Sequence, residues 1–119
     1  MKFSVKYMRE VLGVRAEDLG VILEIPDLGR RTILDSLDKK FSETTVAKLF
    51  ALQEMLEYAE NVFGDKKKPA LWLHHYVIAL GVLYGGIPLG MVRVSGIKGV
   101  ENIRTVYNTL GQMKHGLYS

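Results

Sequence analysis

The stretch VENIRTVYNTLGQMKHGLYS, residues 100–119, decides how this chain is read. Ile103, Val106, Tyr107, Leu110 and Met113 recur at i, i+3, i+4, i+7 and i+10, the spacing of one helix face. Gly116 is placed to end that helix, because glycine takes the left-handed conformation beyond a helix at little cost. After it come two apolar residues, Leu117 and Tyr118, and then Ser119. Chain ends fray unless something holds them. This apolar tip therefore either folds back as a helix-end staple or fills a pocket on another molecule, and spacing alone leaves both open.

Outward from that helix, the same period recurs along the chain. Phe3–Leu12 reads as a first helix closed by Gly13, and Ala16–Glu24 as a second with Glu17 and Asp18 in its first turn, where the helix dipole favours acid. Pro26-Asp27-Leu28-Gly29 is a turn by composition. A third helix is expected over about Arg30–Leu37, with Ile33, Leu34 and Leu37 apolar. Ser42 is a good N-cap for a longer helix to Phe63, whose apolar face is Val46, Leu49, Phe50, Leu56 and Phe63. Gly64-Asp65 and Lys66–Lys68 form a linker. Pro69 suits the first turn of a helix containing Trp72 and Leu73. Gly85-Gly86-Ile87-Pro88 breaks the chain, a short helix follows around Leu89–Val92, and Gly96 and Gly99 mark a loop before the last helix, about Val100–His115. No strand alternation or internal repeat is visible. The predicted fold class is all-α, with a helix-turn-helix-like bundle over 1–65 and a small helical domain over 66–119.

At 119 residues, 48% hydrophobic and 24% charged, the composition is that of an ordinary globular chain. It has no cysteine, which excludes disulfides, thiol chemistry and Cys-based metal sites. No apolar signal-peptide core follows Lys2, so a cytoplasmic location is expected. The net charge of +3 is uneven: residues 1–65 carry nine Lys/Arg and twelve Asp/Glu, and residues 66–119 carry seven and one. The basic second half favours an acidic partner, either nucleic acid or an acidic protein pocket. Residues 69–92 hold no charged side chain until Arg93, near the length of a membrane span. His74-His75, Gly85-Gly86 and Pro88 interrupt it, so a core helix, a break and a short helix are the better reading, with no membrane partner expected.

Helix, short turn and helix across residues 16–40 is the arrangement of a helix-turn-helix DNA reader. Its second helix would present Arg30, Arg31 and Thr32, then Ser36, with Lys39 and Lys40 at its end. Arginine forks match guanine edges and phosphates, and lysines track the backbone. Asp35 and Asp38 on the same segment oppose this, leaving only two excess positive charges over residues 30–40. Catalysis is not expected. His74 and His75 are adjacent and so diverge on a helix, His115 stands alone, and no phosphate loop, dinucleotide fingerprint or His-Glu-x-x-His occurs. No catalytic residue, cofactor or metal ligand is therefore named.

Four segments occur together: Arg31-Thr32 in the helix-turn-helix-like region; Val62-Phe63-Gly64-Asp65; Trp72-Leu73 leading to Leu83-Tyr84-Gly85-Gly86-Ile87-Pro88-Leu89; and Leu110-Gly111-Gln112-Met113-Lys114-His115-Gly116-Leu117-Tyr118-Ser119. The chain in this respect resembles the Xre/MbcA/ParS-like antitoxin family of type II toxin–antitoxin systems, from about residue 11 to the end. The resemblance implies an all-α antitoxin whose N-terminal region binds operator DNA and represses its own operon. It implies a cognate RES-domain toxin that consumes NAD or transfers ADP-ribose, blocked at its active site by the antitoxin's C-terminal tail. Carried over by position, the toxin-binding residues are Lys114, His115, Gly116, Leu117, Tyr118 and Ser119, presented by a domain built on Trp72, Leu73, Gly86, Pro88 and Leu89. The DNA-binding residues are Arg30, Arg31, Thr32, Ser36, Lys39 and Lys40. A homodimer or higher oligomer is expected, because a chain this short buries little core. The family's Pro-Asn pair after Trp-Leu is replaced here by His74-His75-Tyr76-Val77. The alternative reading is a stand-alone Xre-like transcriptional regulator.

Overall fold

The computed structural model describes residues 1–75, 77, 80 and 86–114. It is mostly helical, and its element order is β1 (Lys2–Ser4), α1 (Val5–Leu12), α2 (Ala16–Leu23), a 3-10 turn at Leu28–Arg30, β2 (Ile33–Asp35), α3 (Glu43–Phe63), α4 (Lys68–Leu73), α5 (Pro88–Val92) and α6 (Gly96–Lys114).

Capping chemistry sets where the first helices start and stop. The Ser4 hydroxyl accepts the Tyr7 N–H and starts α1, and Gly13 ends it at φ 68°. Val5, Met8, Val11 and Leu12 are the buried face. The turn Gly13-Val14-Arg15 leads directly into α2, so two helices joined by a three-residue turn do occur, but over Val5–Leu23 rather than over 16–40. Gly13 is also required sterically, since a Cβ there would meet the Cβ of Ala70 on α4 at 2.8 Å.

The expected third helix is not formed. Leu28–Arg30 is a 3-10 turn, and Ile33–Asp35 is a strand pairing antiparallel with β1 in the register Lys2↔Asp35, Phe3↔Leu34 and Ser4↔Ile33. The ladder extends outward through Val5 N–H to Thr32 O (3.0 Å) and Ser36 N–H to Met1 O (2.9 Å). Ile33, Leu34 and Leu37 would share one face of a helix; instead Leu34 is fully buried while Ile33 and Leu37 are 56% and 79% exposed. Two aspartates hold the chain off the helical path. The Asp35 carboxylate accepts the Leu37 N–H at 3.0 Å and the Asp38 carboxylate accepts the Lys40 N–H at 2.9 Å. Such local side-chain bonds compete with helix, and β-branched Thr32 and Ile33 suit the strand. Lys2–Ser4, with Phe3 and Ser4 expected as the start of the first helix, supplies the partner strand.

The Ser42 hydroxyl accepts the Thr45 N–H and opens α3, which Gly64 closes at φ 66°. Thr45, Lys48, Leu49, Leu52, Met55, Leu56 and Ala59 form its buried face. Phe50, expected inside, sits at the rim and packs edge-on against Phe3 with centroids 5.2 Å apart. The main packing partner of α3 is α6. The last helix starts at Gly96, four residues before the expected Val100, and encloses Gly99. One hydrophobic cluster joins Met8, Leu12 and Leu52 to Leu73, Val92, Ile103 and Leu110, so the regions expected as separate domains share a core. No described helix is long and apolar enough to cross a membrane.

Candidate functional site

The predicted DNA-reading residues do not lie on one helix. Arg30 lies in the 3-10 turn and is exposed, Thr32 gives its carbonyl to Val5, and Ser36 is held by Met1. Arg31 is half-buried: its Nη1 donates to Asp38 Oδ2 at 3.1 Å and its guanidinium lies 5.0 Å from the Phe41 ring centroid. Lys39 and Lys40 stand exposed in the turns beyond β2. The Lys40 N–H, and then Arg31, hold the Asp38 carboxyl below its ordinary range. Arg31 is thus already occupied by intramolecular partners.

The C-terminal candidates divide. Lys114 ends α6, while His115, Gly116, Leu117, Tyr118 and Ser119 lie outside the described residues. The last turn of α6 is braced against α3. Lys114 Nζ donates to Asn61 Oδ1 at 2.7 Å and stands 5.5 Å from the Tyr58 ring centroid. Tyr58 stacks on Tyr107 with centroids 4.6 Å apart at 27°. Among the residues expected to support the tail, Leu73 and Pro88 are buried, Trp72 meets Phe63 at 6.1 Å, and Gly86 accepts the Val77 N–H at φ 68°.

Sequence reasoning missed a buried lysine. Lys48 has no exposed surface, and its ammonium donates to Ile22 O at 2.9 Å and Val94 O at 3.1 Å while pairing with Glu24 Oε2 at 2.9 Å. Thr45 Oγ1 donates to Leu23 O at 2.8 Å. Two side chains of α3 thereby satisfy carbonyls at the end of α2, which a helix terminus otherwise leaves unpaired. Glu24 also accepts the Gly96 N–H at 3.2 Å, placing a carboxylate at the start of α6, where the dipole favours it. The Lys48 bond, aided by Gly96, draws the Glu24 carboxyl below its ordinary range. Thr45, Lys48, Leu49 and Leu52 run i, i+3, i+4, i+7, so a lysine inside the apolar stripe was the available signal.

A second feature was not legible locally. A cleft of about 800 Å³ opens between α1, the α1–α2 turn, His74 and α5. Lys6, Arg9, Arg15 and Arg93 line it against Glu10 and Asp18. His74 Nε2 sits 2.8 Å from Leu12 O, and His75 Nδ1 bonds Leu71 O, so the two rings diverge. Among the described residues, no group of His, Asp and Glu could hold a metal. No profile of a known family matches the chain, and no curated protein and no solved structure matches it.

Proposed function

We propose that this protein is the antitoxin of a type II pair and neutralises a RES-domain toxin that consumes NAD or transfers ADP-ribose. Residues 115–119, continuing from Lys114, enter the toxin's nucleotide pocket and occlude it. The reading comes from the resemblance carried by residues 62–65, 72–73, 83–89 and 110–119. The observation that most supports it is the braced end of α6: with Lys114 on Asn61 and Tyr58 stacked on Tyr107, the tail leaves from a fixed point. A fixed exit lowers the entropy lost when the tail is captured. The uneven charge adds to this, because the half that delivers the tail carries seven Lys/Arg against one Asp/Glu and is drawn to a site built for an anionic nucleotide. The chain needs no catalytic group, cofactor or metal for this. It acts in the cytoplasm as a homodimer or higher assembly and also binds its operator DNA.

Co-expression with the toxin encoded beside it tests the reading. The full chain restores growth, and the chain ending at Lys114 does not, although it keeps the helical circular dichroism of the parent. Growth restored by the truncated chain would contradict the plug. Absence of any neighbouring toxin gene, with operator binding intact, would favour the stand-alone regulator.

A further inference from the structure

We infer that the cleft between α1, the α1–α2 turn and α5 seats the sugar-phosphate backbone of duplex DNA. This rests on the operator-binding part of the reading above and gives that activity a surface, now that residues 30–40 form no reading helix.

The charge pattern carries the argument. Four cations, Lys6, Arg9, Arg15 and Arg93, face two carboxylates, Glu10 and Asp18. Glu10 is engaged from outside by Lys66 at 3.1 Å. The pairs within the cleft are long, Lys6–Glu10 at 3.8 Å and Arg15–Asp18 at 3.7 Å, and their cations are 85% and 79% exposed. Exposed pairs of this kind contribute about 0.2–1 kcal/mol and exchange readily for another anion. Arg9 and Arg93 have no carboxylate partner among the described residues. Arg31, the most constrained cation of the 30–40 segment, is by contrast held by Asp38 and Phe41.

The chemistry of the lining narrows the ligand. Among the described residues no Phe, Tyr or Trp lines the cleft, and the one ring there, His74, has its Nε2 tied to Leu12 O. Single strands and free nucleotides are held largely by stacking on aromatic rings, whereas duplex backbone is held by cations and turn N–H groups without stacking. The cations come from α1, from Arg15 in the turn that follows it and from Arg93 just past the end of α5, and this spreads them over more than one phosphate. Glu17 and Asp18 in the first turn of α2 disfavour deep reading of bases. Contact is therefore to the backbone, with little sequence preference from this surface.

Fluorescence anisotropy of the full chain against two labelled duplexes, its own promoter and a scrambled sequence of equal length, tests this. Three or so neutralised phosphates give a log affinity against log salt slope of about −3. Arg9→Gln with Arg93→Gln weakens both duplexes by roughly tenfold and reduces the slope by about 2. Lys98→Gln with Arg104→Gln removes the same charge on α6 and changes affinity by less than about twofold. Circular dichroism checks that each variant is folded. Equal weakening by the α6 pair would reduce the effect to net charge and overturn the site. Loss through Arg30→Gln with Lys39→Gln, with Arg9→Gln/Arg93→Gln binding normally, would also overturn it. Displacement of the duplex by excess AMP would reassign the cleft to free nucleotide. A wild-type chain that binds neither duplex overturns the inference while leaving toxin neutralisation, tested by truncation at Lys114, standing.

Discussion

Lys48 is the residue on which the end of α2 and the segment entering α6 meet. Its ammonium joins the end of α2, the strand of backbone at Val94 and, through Glu24, the start of α6. Removing it leaves the Ile22 and Val94 carbonyls without their donor and Glu24 without its cation. Lys48→Met keeps most of the volume and is expected to lower unfolding free energy by about 2 kcal/mol. A urea midpoint shift of that size at unchanged slope checks it, and an unchanged midpoint would show the latch to be dispensable. The same pair predicts the acid limb of stability. The folded state lowers the Glu24 pKa, so it favours the ionised carboxylate. The stabilisation is fully present above about pH 4.5, the ordinary value, and is lost as pH falls through the lower folded value. Glu24→Gln should therefore cost stability near neutrality and flatten the loss on acidification. An acid limb identical to that of the parent would contradict this. Lys48 could be suspected from its place in the apolar stripe of α3. Its three partners could not, because they lie at sequence separations that spacing does not report.

Elements were legible where one face is repeated and capped. The α1 and α3 boundaries follow Ser4, Gly13, Ser42 and Gly64, each in the capping geometry its residue type favours. Two failures share a cause, contact with distant chain. Thr32-Ile33-Leu34 has helix-like apolar spacing with Leu37, yet pairing with Lys2–Ser4 satisfies its backbone and buries Leu34 against Phe3. Gly96 and Gly99 read as loop, yet Gly99 lies inside α6 because Lys48 approaches there: a Cβ would meet Lys48 Cε at 2.9 Å and press on the Val94 carbonyl. Glycine to alanine inside a helix ordinarily gains up to about 1 kcal/mol. Gly99→Ala is expected to reverse that sign, lowering the thermal midpoint, whereas Gly111→Ala meets only the Tyr58 ring edge, with its hydroxyl at 3.3 Å. A rise in midpoint for Gly99→Ala would mean that the α3–α6 approach yields more easily than its geometry indicates.

At the scale of the whole molecule, the chain is a helical body with one shared core, a basic cleft at one face and a helix end braced at Lys114. The helical class was readable from periodicity. The cleft was not, because it brings residues between Lys6 and Asp18 together with His74, Leu89 and Arg93 across the fold. The toxin-binding candidates were named from resemblance and pattern at the chain's end, and Lys114 is the member whose contacts are described. The most direct test of the central claim is the rate of NAD loss catalysed by the proposed partner toxin as this chain is titrated in. The full chain is expected to abolish turnover at a stoichiometric ratio, and the chain ending at Lys114 to leave the toxin running at its uninhibited rate. Complete inhibition by the truncated chain would contradict the account.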